Sequence, residues 1–317
     1  LPTWIRQVSI GLAVLGLAQL MVVLDATIVN IALPSISHEF GSGVAGTGWV
    51  VTGYLVTQAV LLPIAGRAGD LYGRRRIWVG GIVVMVIASA LCAVAWSEPA
   101  LVVFRILQGA GGAALLSTAQ ATLIEVFPRK QLAMIQAIFS MGLVAAPTLG
   151  PTLGGFITDN YGWRWIFYIN IPVGIAALVI TSASLHIPKL QKSHKIDYSG
   201  AGLLVIAVTA LLMAVSVYGP QDGWSNSKTI IAFVAAAVFT AAFLWREGRA
   251  VEPILPLTLF KNHTFSITSL LGFIIGAGMF GAIVMLPLYL QVVKQNSATE
   301  SGLKLIPFML GIVSMSI

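Results

Sequence analysis

The chain has 317 residues, 57% of them hydrophobic and only 9% charged, with a mean hydropathy of +0.92. A soluble domain carries about a quarter charged residues, so a water-soluble globular protein is excluded and an all-α polytopic membrane protein is indicated. The net charge of +7 is no nucleic-acid signal, because the lysines and arginines sit in short segments between apolar runs and form no basic face; the single cysteine, Cys92, leaves no disulfide framework.

Apolar runs follow one another along the chain. The first covers about 8–33 and is expected to end at Pro34, and the second covers about 46–65. Between the second and the third (about 77–96) lies Gly66-Arg67-Ala68-Gly69-Asp70-Leu71-Tyr72-Gly73-Arg74-Arg75-Arg76, read as a tight, charged loop in water. The fourth run is about 100–124, stopped by Glu125, Pro128, Arg129 and Lys130; the fifth is about 132–157 and the sixth about 165–185. A polar linker at 188–197, with Lys189, Lys192 and Lys195, precedes the seventh (about 200–218) and eighth (about 230–245). The ninth is about 265–293, and a tenth begins near 301. Each complete run is close to the ~20 residues a helical span needs, and none has the period-2 pattern of an outer-membrane barrel. No cleavable signal peptide is visible. With Leu1 first and Ile317 inside an apolar run, the sequence reads as a piece of a longer protein.

Orientation follows from the basic residues. With the N-terminus inside, the inner segments hold Arg6, Arg67, Arg74, Arg75, Arg76, Arg129, Lys130, the three linker lysines, Arg246, Arg249 and Lys261. The outer ones hold Arg164, Lys228 and Lys294, with Lys304 just inside the tenth run. That asymmetry predicts a cytoplasmic N-terminus. The segment 253–261 is too short and proline-broken to span; an interfacial segment and a plain loop both remain open. Tryptophans near run ends, including Trp96, Trp163, Trp165 and Trp245, fit an aromatic belt.

Two charges lie inside apolar runs: Asp25 and Arg105. An ionisable group in a span is expensive and points to function, with a partner to be named. Asp25 stands nine residues before Pro34 and Arg105 six past Pro99, depths of roughly 13 and 9 Å that let the two meet in one cavity. Burial favours the protonated carboxyl and a nearby guanidinium the ionised one, so Asp25 is expected to load and unload a proton under the influence of Arg105. A static ion pair joining two helices is the competing reading. Asn30, Gln58, Gln108, Ser117, Thr118 and Gln120 are polar at spanning depth, each suiting a helix–helix hydrogen bond better than a ligand contact. Gln108, at i+3 from Arg105, is the best placed to line a cavity. Glu125, beside Arg129 and Lys130, reads as an ordinary interfacial carboxylate. Gly150 and Gly154 make a small-xxx-small face, and Pro147 and Pro151 bend the same helix. Close packing or a dry seam between moving halves would each explain them. Asp70 is a candidate latch at the charged loop.

Together these stretches resemble the major facilitator superfamily. Gly66 to Arg76 resembles its signature between helices two and three, Arg105-Ile106-Leu107-Gln108-Gly109 its helix-four motif, and Gly150-Pro151-Thr152-Leu153-Gly154-Gly155 its helix-five antiporter motif. Leu24-Asp25-Ala26-Thr27-Ile28-Val29-Asn30-Ile31-Ala32-Leu33-Pro34, Trp163-Arg164-Trp165-Ile166-Phe167-Tyr168-Ile169-Asn170-Ile171-Pro172 and the stretch from Glu252 to Asn262 are similar to the fourteen-helix drug:proton antiporters of the EmrB/QacA type. The resemblance implies the major facilitator fold: an N-terminal six-helix bundle (1–187), a linker with two inserted helices (188–248), and an interfacial segment with the first helices of a C-terminal bundle (249–317). It implies a multi-pass protein of the bacterial cytoplasmic membrane, not an enzyme. Such a protein needs no cofactor, is driven by the proton gradient and exports small hydrophobic or cationic drugs by alternating access. In that frame Asp25 and Arg105 couple protons. Asn30, Gln58 and Gln108 line the substrate cavity, and Gly66, Asp70, Gly73 and Arg74 form the cytoplasmic gate. Pro147, Gly150, Pro151, Gly154 and Gly155 form the antiporter seam. An exporter of a lipid or endogenous metabolite and a non-transporting sensor on the same scaffold are the alternatives. The residues do not specify the substrate, the proton stoichiometry or the oligomeric state.

Overall fold

The computed structural model describes residues 3–41, 44–127, 131–184, 197–250 and 253–295, together with 304, 307 and 311. Arg129, Lys130, the linker lysines and nearly all of the tenth run lie outside the described residues, as do the side chains of Pro147 and Pro151. The described chain is helical: α1 (Thr3–Phe40), α2 (Val44–Tyr72), α3 (Arg74–Ala93), α4 (Glu98–Val126), α5 (Leu132–Tyr161), the short α6 (Trp165–Tyr168), α7 (Asn170–Ser184), α8 (Tyr198–Met213), α9 (Gly219–Asp222), α10 (Ser227–Glu247) and α11 (His263–Val292). Six described stretches are long and apolar enough to cross a membrane.

Helices α1 to α7 pack around one another, with α4 against α2 and α3, α1 against α5 and α7, and α7 against α3. Small residues set these approaches. A Cβ on Gly109 would fall 2.5 Å from the Tyr54 carbonyl oxygen of α2, and one on Gly111 would fall 2.8 Å from the Met85 nitrogen of α3. The core has two apolar layers. Leu15, Met21, Trp78, Ile82, Met85, Leu115 and Leu123 form one; Ile28, Val29, Ile36, Val50, Leu101, Trp163 and Phe167 form the other. Helices α1, α3 and α4 each contribute to both, so the residues between their two contributions lie at the middle of the bundle.

Each end of the bundle is stitched by arginine. At one end Arg74 Nη1 donates to the Ala121 carbonyl of α4 at 3.0 Å, and Arg75 Nη2 to the Ser182 carbonyl of α7 at 3.1 Å. At the other, Arg164 Nη1 reaches Glu39 of α1 at 2.6 Å and its Nη2 the Ala95 carbonyl at 3.1 Å. The inserted pair α8 and α10 pack on each other, and α8 also on α2. Asp197 caps α8, accepting from Gly200 N–H at 3.1 Å and from Arg246 of α10, also at 3.1 Å. Burial pushes the Asp197 carboxyl up, but hydrogen bonds from Ser199, Gly200 and Arg246 outweigh it and hold it below the usual carboxylate range.

Several helix boundaries differ from those expected. Helix α1 does not stop at Pro34 but continues to Phe40. The proline removes one ladder hydrogen bond, yet the turn beyond it is held: Ile36 is buried and Glu39 accepts from Trp163 Nε1 at 2.6 Å. The expected loop from Gly66 to Arg76 is almost wholly helical. Helix α2 passes Pro63 and runs to Tyr72, and α3 starts at Arg74, so Gly73 alone breaks the chain, at φ +96°. The sixth run is broken at Ile169, because Pro172 lacks the N–H that would bond the Tyr168 carbonyl. The seventh run ends in a π-helical turn, Ala214–Tyr218, ahead of Pro220. The segment 253–261 holds a 3₁₀ turn, Leu257–Lys261, with exposed Leu259 and Phe260; the backbone N–H groups of Ile254 and Leu255 donate to the buried Glu247 carboxylate. Trp163 is no belt residue, since it is buried against Phe40 and Phe167.

Candidate functional site

Asp25 and Arg105 meet between the two apolar layers. Both side chains have 0% exposure, and Arg105 Nη1 donates to Asp25 Oδ2. Arg105 Nε donates to the Val50 carbonyl of α2 at 3.1 Å, and Nη1 also to Gln108 Oε1, one turn on, at 2.6 Å. The guanidinium lies 4.0 Å from the centre of the Tyr54 ring and 5.8 Å from that of Phe167. Tyr54 is fixed in turn, donating to the Val22 carbonyl of α1 at 3.1 Å. The other oxygen of Asp25 receives two amides, Gln108 Nε2 at 2.8 Å and Asn170 Nδ2 at 2.7 Å. Ser89 Oγ of α3 accepts from both amides, at 2.7 and 3.2 Å.

Five elements therefore converge on one carboxylate: α1 itself, α2 through Tyr54, α3 through Ser89, α4 through Arg105 and Gln108, and α7 through Asn170. Desolvation of a lone charge here would be prohibitive, so the carboxylate is tolerated only because donors surround it. A crevice of about 90 Å³, lined almost wholly by apolar groups, reaches Asp25 and Asn170 between α1, α5 and α7. Leu153 and Ile169, 37% and 39% exposed, line it too.

The remaining expected site residues separate into groups. Gln108 is buried against Asp25, while Asn30 is exposed and donates to its own helix at the Ala26 carbonyl, 3.4 Å away. Gln58 donates to the Tyr54 hydroxyl at 3.1 Å beside Gly112 and does not touch Asp25 directly. Gly66 faces Ser117 of α4 as a close helix approach rather than a loop turn. Asp70 pairs with Arg74 across the Gly73 break at 3.0 Å, and Arg74 pairs with Glu125 at 2.7 Å. Glu125, read as an ordinary interfacial acid, is thus a member of this cluster. Gly150 and Gly154 seat α5 on α1. A Cβ on Gly150 would overlap Thr27 Oγ1, and one on Gly154 would fall 2.7 Å from Ile28 Cγ1, whereas Gly155 leaves 3.9 Å to Ile31.

Asn170, Ser89 and Tyr54 were not picked out as site residues. Asn170 appeared only inside the motif from Trp163 to Pro172; its one local signal is that it follows a proline-dictated helix break. Among the described residues no group of three or more histidine, cysteine, aspartate or glutamate side chains could hold a metal ion.

A family model described as Major Facilitator Superfamily matches residues 15–317. The chain is 38% identical over 294 residues to multidrug transporter protein MdtP of Bacillus subtilis, covering 93% of this chain and 54% of that protein. It is 35% identical over 313 residues to multidrug resistance protein 3 of the same organism, covering 98% and 61%. With multidrug resistance protein Stp of Mycobacterium tuberculosis it shares 35% over 302 residues, covering 95% and 56%. The chain thus spans about half the length of the curated relatives it matches. Among solved structures it resembles the proton:xylose symporter XylE, with a TM-score of 0.66 at 13% identity over 98% of this chain and 68% of that one. It also resembles a peptide transporter POT, with a TM-score of 0.57 at 17% identity over 76% and 53%. At such identities the likeness is one of fold.

Proposed function

The chain belongs to the Major Facilitator Superfamily, and from that premise we propose that it works as part of a proton-coupled antiporter exporting hydrophobic or cationic drugs by alternating access. The observation that carries this reading is a carboxylate–guanidinium pair with no solvent exposure at the middle of an apolar bundle. Such a pair is costly to keep. Its chemistry suits exchange: a proton on Asp25 and a cation beside Asp25 compete for the same lone pairs, so the presence of one disfavours the other. Relatives named for multidrug transport and resistance support export of drugs, and the motifs around Asp25, Trp163 to Pro172 and Glu252 to Asn262 favour the fourteen-helix EmrB/QacA type within the superfamily.

In this reading residues 1–187 are the N-terminal bundle, 188–248 the linker and inserted pair, and 249–317 the start of the C-terminal bundle. The N-terminus is cytoplasmic, in a bacterial inner membrane. The cluster of Asp70, Arg74 and Glu125 is the cytoplasmic gate, and the seat of Gly150 and Gly154 on α1 is the antiporter seam. Asn30 and Gln58 face the substrate path.

The test uses the full-length protein in inside-out vesicles with an energised proton gradient followed by a quenched dye. Ethidium added to wild type is expected to release protons, and Asp25→Asn is expected to lose at least ten-fold of that response. An equal response in a correctly inserted variant would place coupling on another carboxylate.

A further inference from the structure

The three donors to Asp25 are not equivalent. Arg105 carries donors only, so it can serve the carboxylate but cannot accept from a protonated carboxyl. Gln108 is pinned at both ends: its Oε1 accepts from Arg105 at 2.6 Å, and its Nε2 donates to Asp25 Oδ1 and to Ser89 Oγ. Turning that amide over would set nitrogen against the guanidinium. Asn170 differs, because its contacts to Asp25 Oδ1 and to Ser89 Oγ come from one atom, Nδ2. Half a turn about χ2 puts Oδ1 in that place. The acceptor then faces two groups that can both donate, the O–H of protonated Asp25 and the hydroxyl of Ser89. The backbone suits this role, since Asn170 opens α7 directly after the Ile169 break and lines the crevice beside Asp25.

We infer that Asn170 is a positioning residue for Asp25 in both of its charge states, donating to the carboxylate and accepting from the carboxyl through rotation of its amide. The inference deepens the proposed function and rests on Asp25 as the proton-carrying group. The proton is taken up on Oδ1, and no other bond is made or broken. The charged or titratable groups facing Asp25 are Arg105 from α4, Tyr54 from α2 and Cys92 from α3. The described residues of α5, α6 and α7 bring no charged side chain to it.

The experiment is a pH titration of the full-length protein in liposomes by infrared difference spectroscopy. It follows the carboxylic-acid C=O band that disappears in Asp25→Asn. The bond lost in Asn170→Leu is charge-assisted to the ionised form and neutral to the protonated one, so the ionised form loses more. The midpoint of Asp25 protonation is therefore expected to move to higher pH by about one unit, a tenfold change. The band itself is expected to shift as the O–H loses its acceptor. Asn170→Ser, whose hydroxyl both donates and accepts, is expected to recover most of both effects. Asn170→Ala is expected to repeat the leucine result and replaces it should the leucine variant not fold. A folded leucine or alanine variant with wild-type midpoint and band overturns the inference, as does a wild-type Asp25 band that never titrates. A titrating wild-type band without ethidium-driven proton release sinks the antiport reading instead, and the spectra still decide the role of Asn170.

Discussion

Arg105 is the residue that makes an ionised Asp25 tolerable, and its surroundings state what its loss would do. Its Nε reaches α2 and its Nη1 reaches both α1 and its own helix, while the guanidinium lies over the Tyr54 ring. A lysine cannot reproduce that fork. Removing one partner of a buried pair leaves the other charge uncompensated, which costs about 3–5 kcal/mol. Arg105→Leu is therefore expected to lose about that much stability in detergent unfolding. The double variant Asp25→Asn with Arg105→Leu is expected to lose less than the two single changes added together, by about 2 kcal/mol. Strict additivity would show that the two side chains do not share one energetic site. At this scale the sequence was legible where charge interrupts apolar runs, which is why Asp25, Arg105 and Gln108 could be placed together. Ser89, Tyr54 and Asn170 are uncharged, and their meaning depends on which helix faces converge, a property no single run contains. Glu125 was misjudged for the same reason: its sequence neighbours are basic, but its partner Arg74 stands on another helix.

Among the elements, α5 seated on α1 gives the sharpest test of close packing. Gly154 and Gly155 are adjacent in the same motif, but only Gly154 lies where a Cβ would strike Ile28, at 2.7 Å from Cγ1 and 3.0 Å from the carbonyl oxygen. Overfilling a tight contact costs about 1–3 kcal/mol. Gly154→Ala is expected to lower stability by that amount and to reduce transport, while Gly155→Ala, with 3.9 Å to its nearest neighbour, stays near wild type. Equal effects would mean that helix propensity rather than the seam governs both positions. The order of the long apolar helices was readable because apolar length is nearly sufficient to specify a span. Their ends were not. Pro34 was expected to stop a helix that tertiary contacts carry onward to Phe40, whereas Pro172 does break one. Local propensity and packing compete at such points, and the winner depends on whether the next turn has a partner, as Ile36 and Glu39 do.

Across the whole molecule, charge is distributed unequally between the two ends of the bundle, and orientation is expected to follow from that inequality. Arg74 and Arg75 tie α2, α3, α4 and α7 together at one end, where Arg67 and Arg76 also lie. The other end holds Glu39, Glu98 and Asp159, with Arg164 already engaged by Glu39. Insertion responds to the count of lysine and arginine in short loops far more than to acids or to net charge, so the pairing of Arg74 with Asp70 and Glu125 does not weaken the argument. The arginine-rich end is expected to face the cytoplasm. Arg76 and Asp159 are both exposed and lie at opposite ends, which makes them suitable reporters in a full-length protein freed of other cysteines, Cys92 included. A membrane-impermeant maleimide is expected to label Asp159→Cys in intact cells, and Arg76→Cys only after the membrane is inverted or opened. The reverse pattern would turn the molecule over and move the proposed gate to the outer face. Equal labelling of both positions in intact cells would show that the bundle does not seal the bilayer, which no proton-coupled transporter could survive.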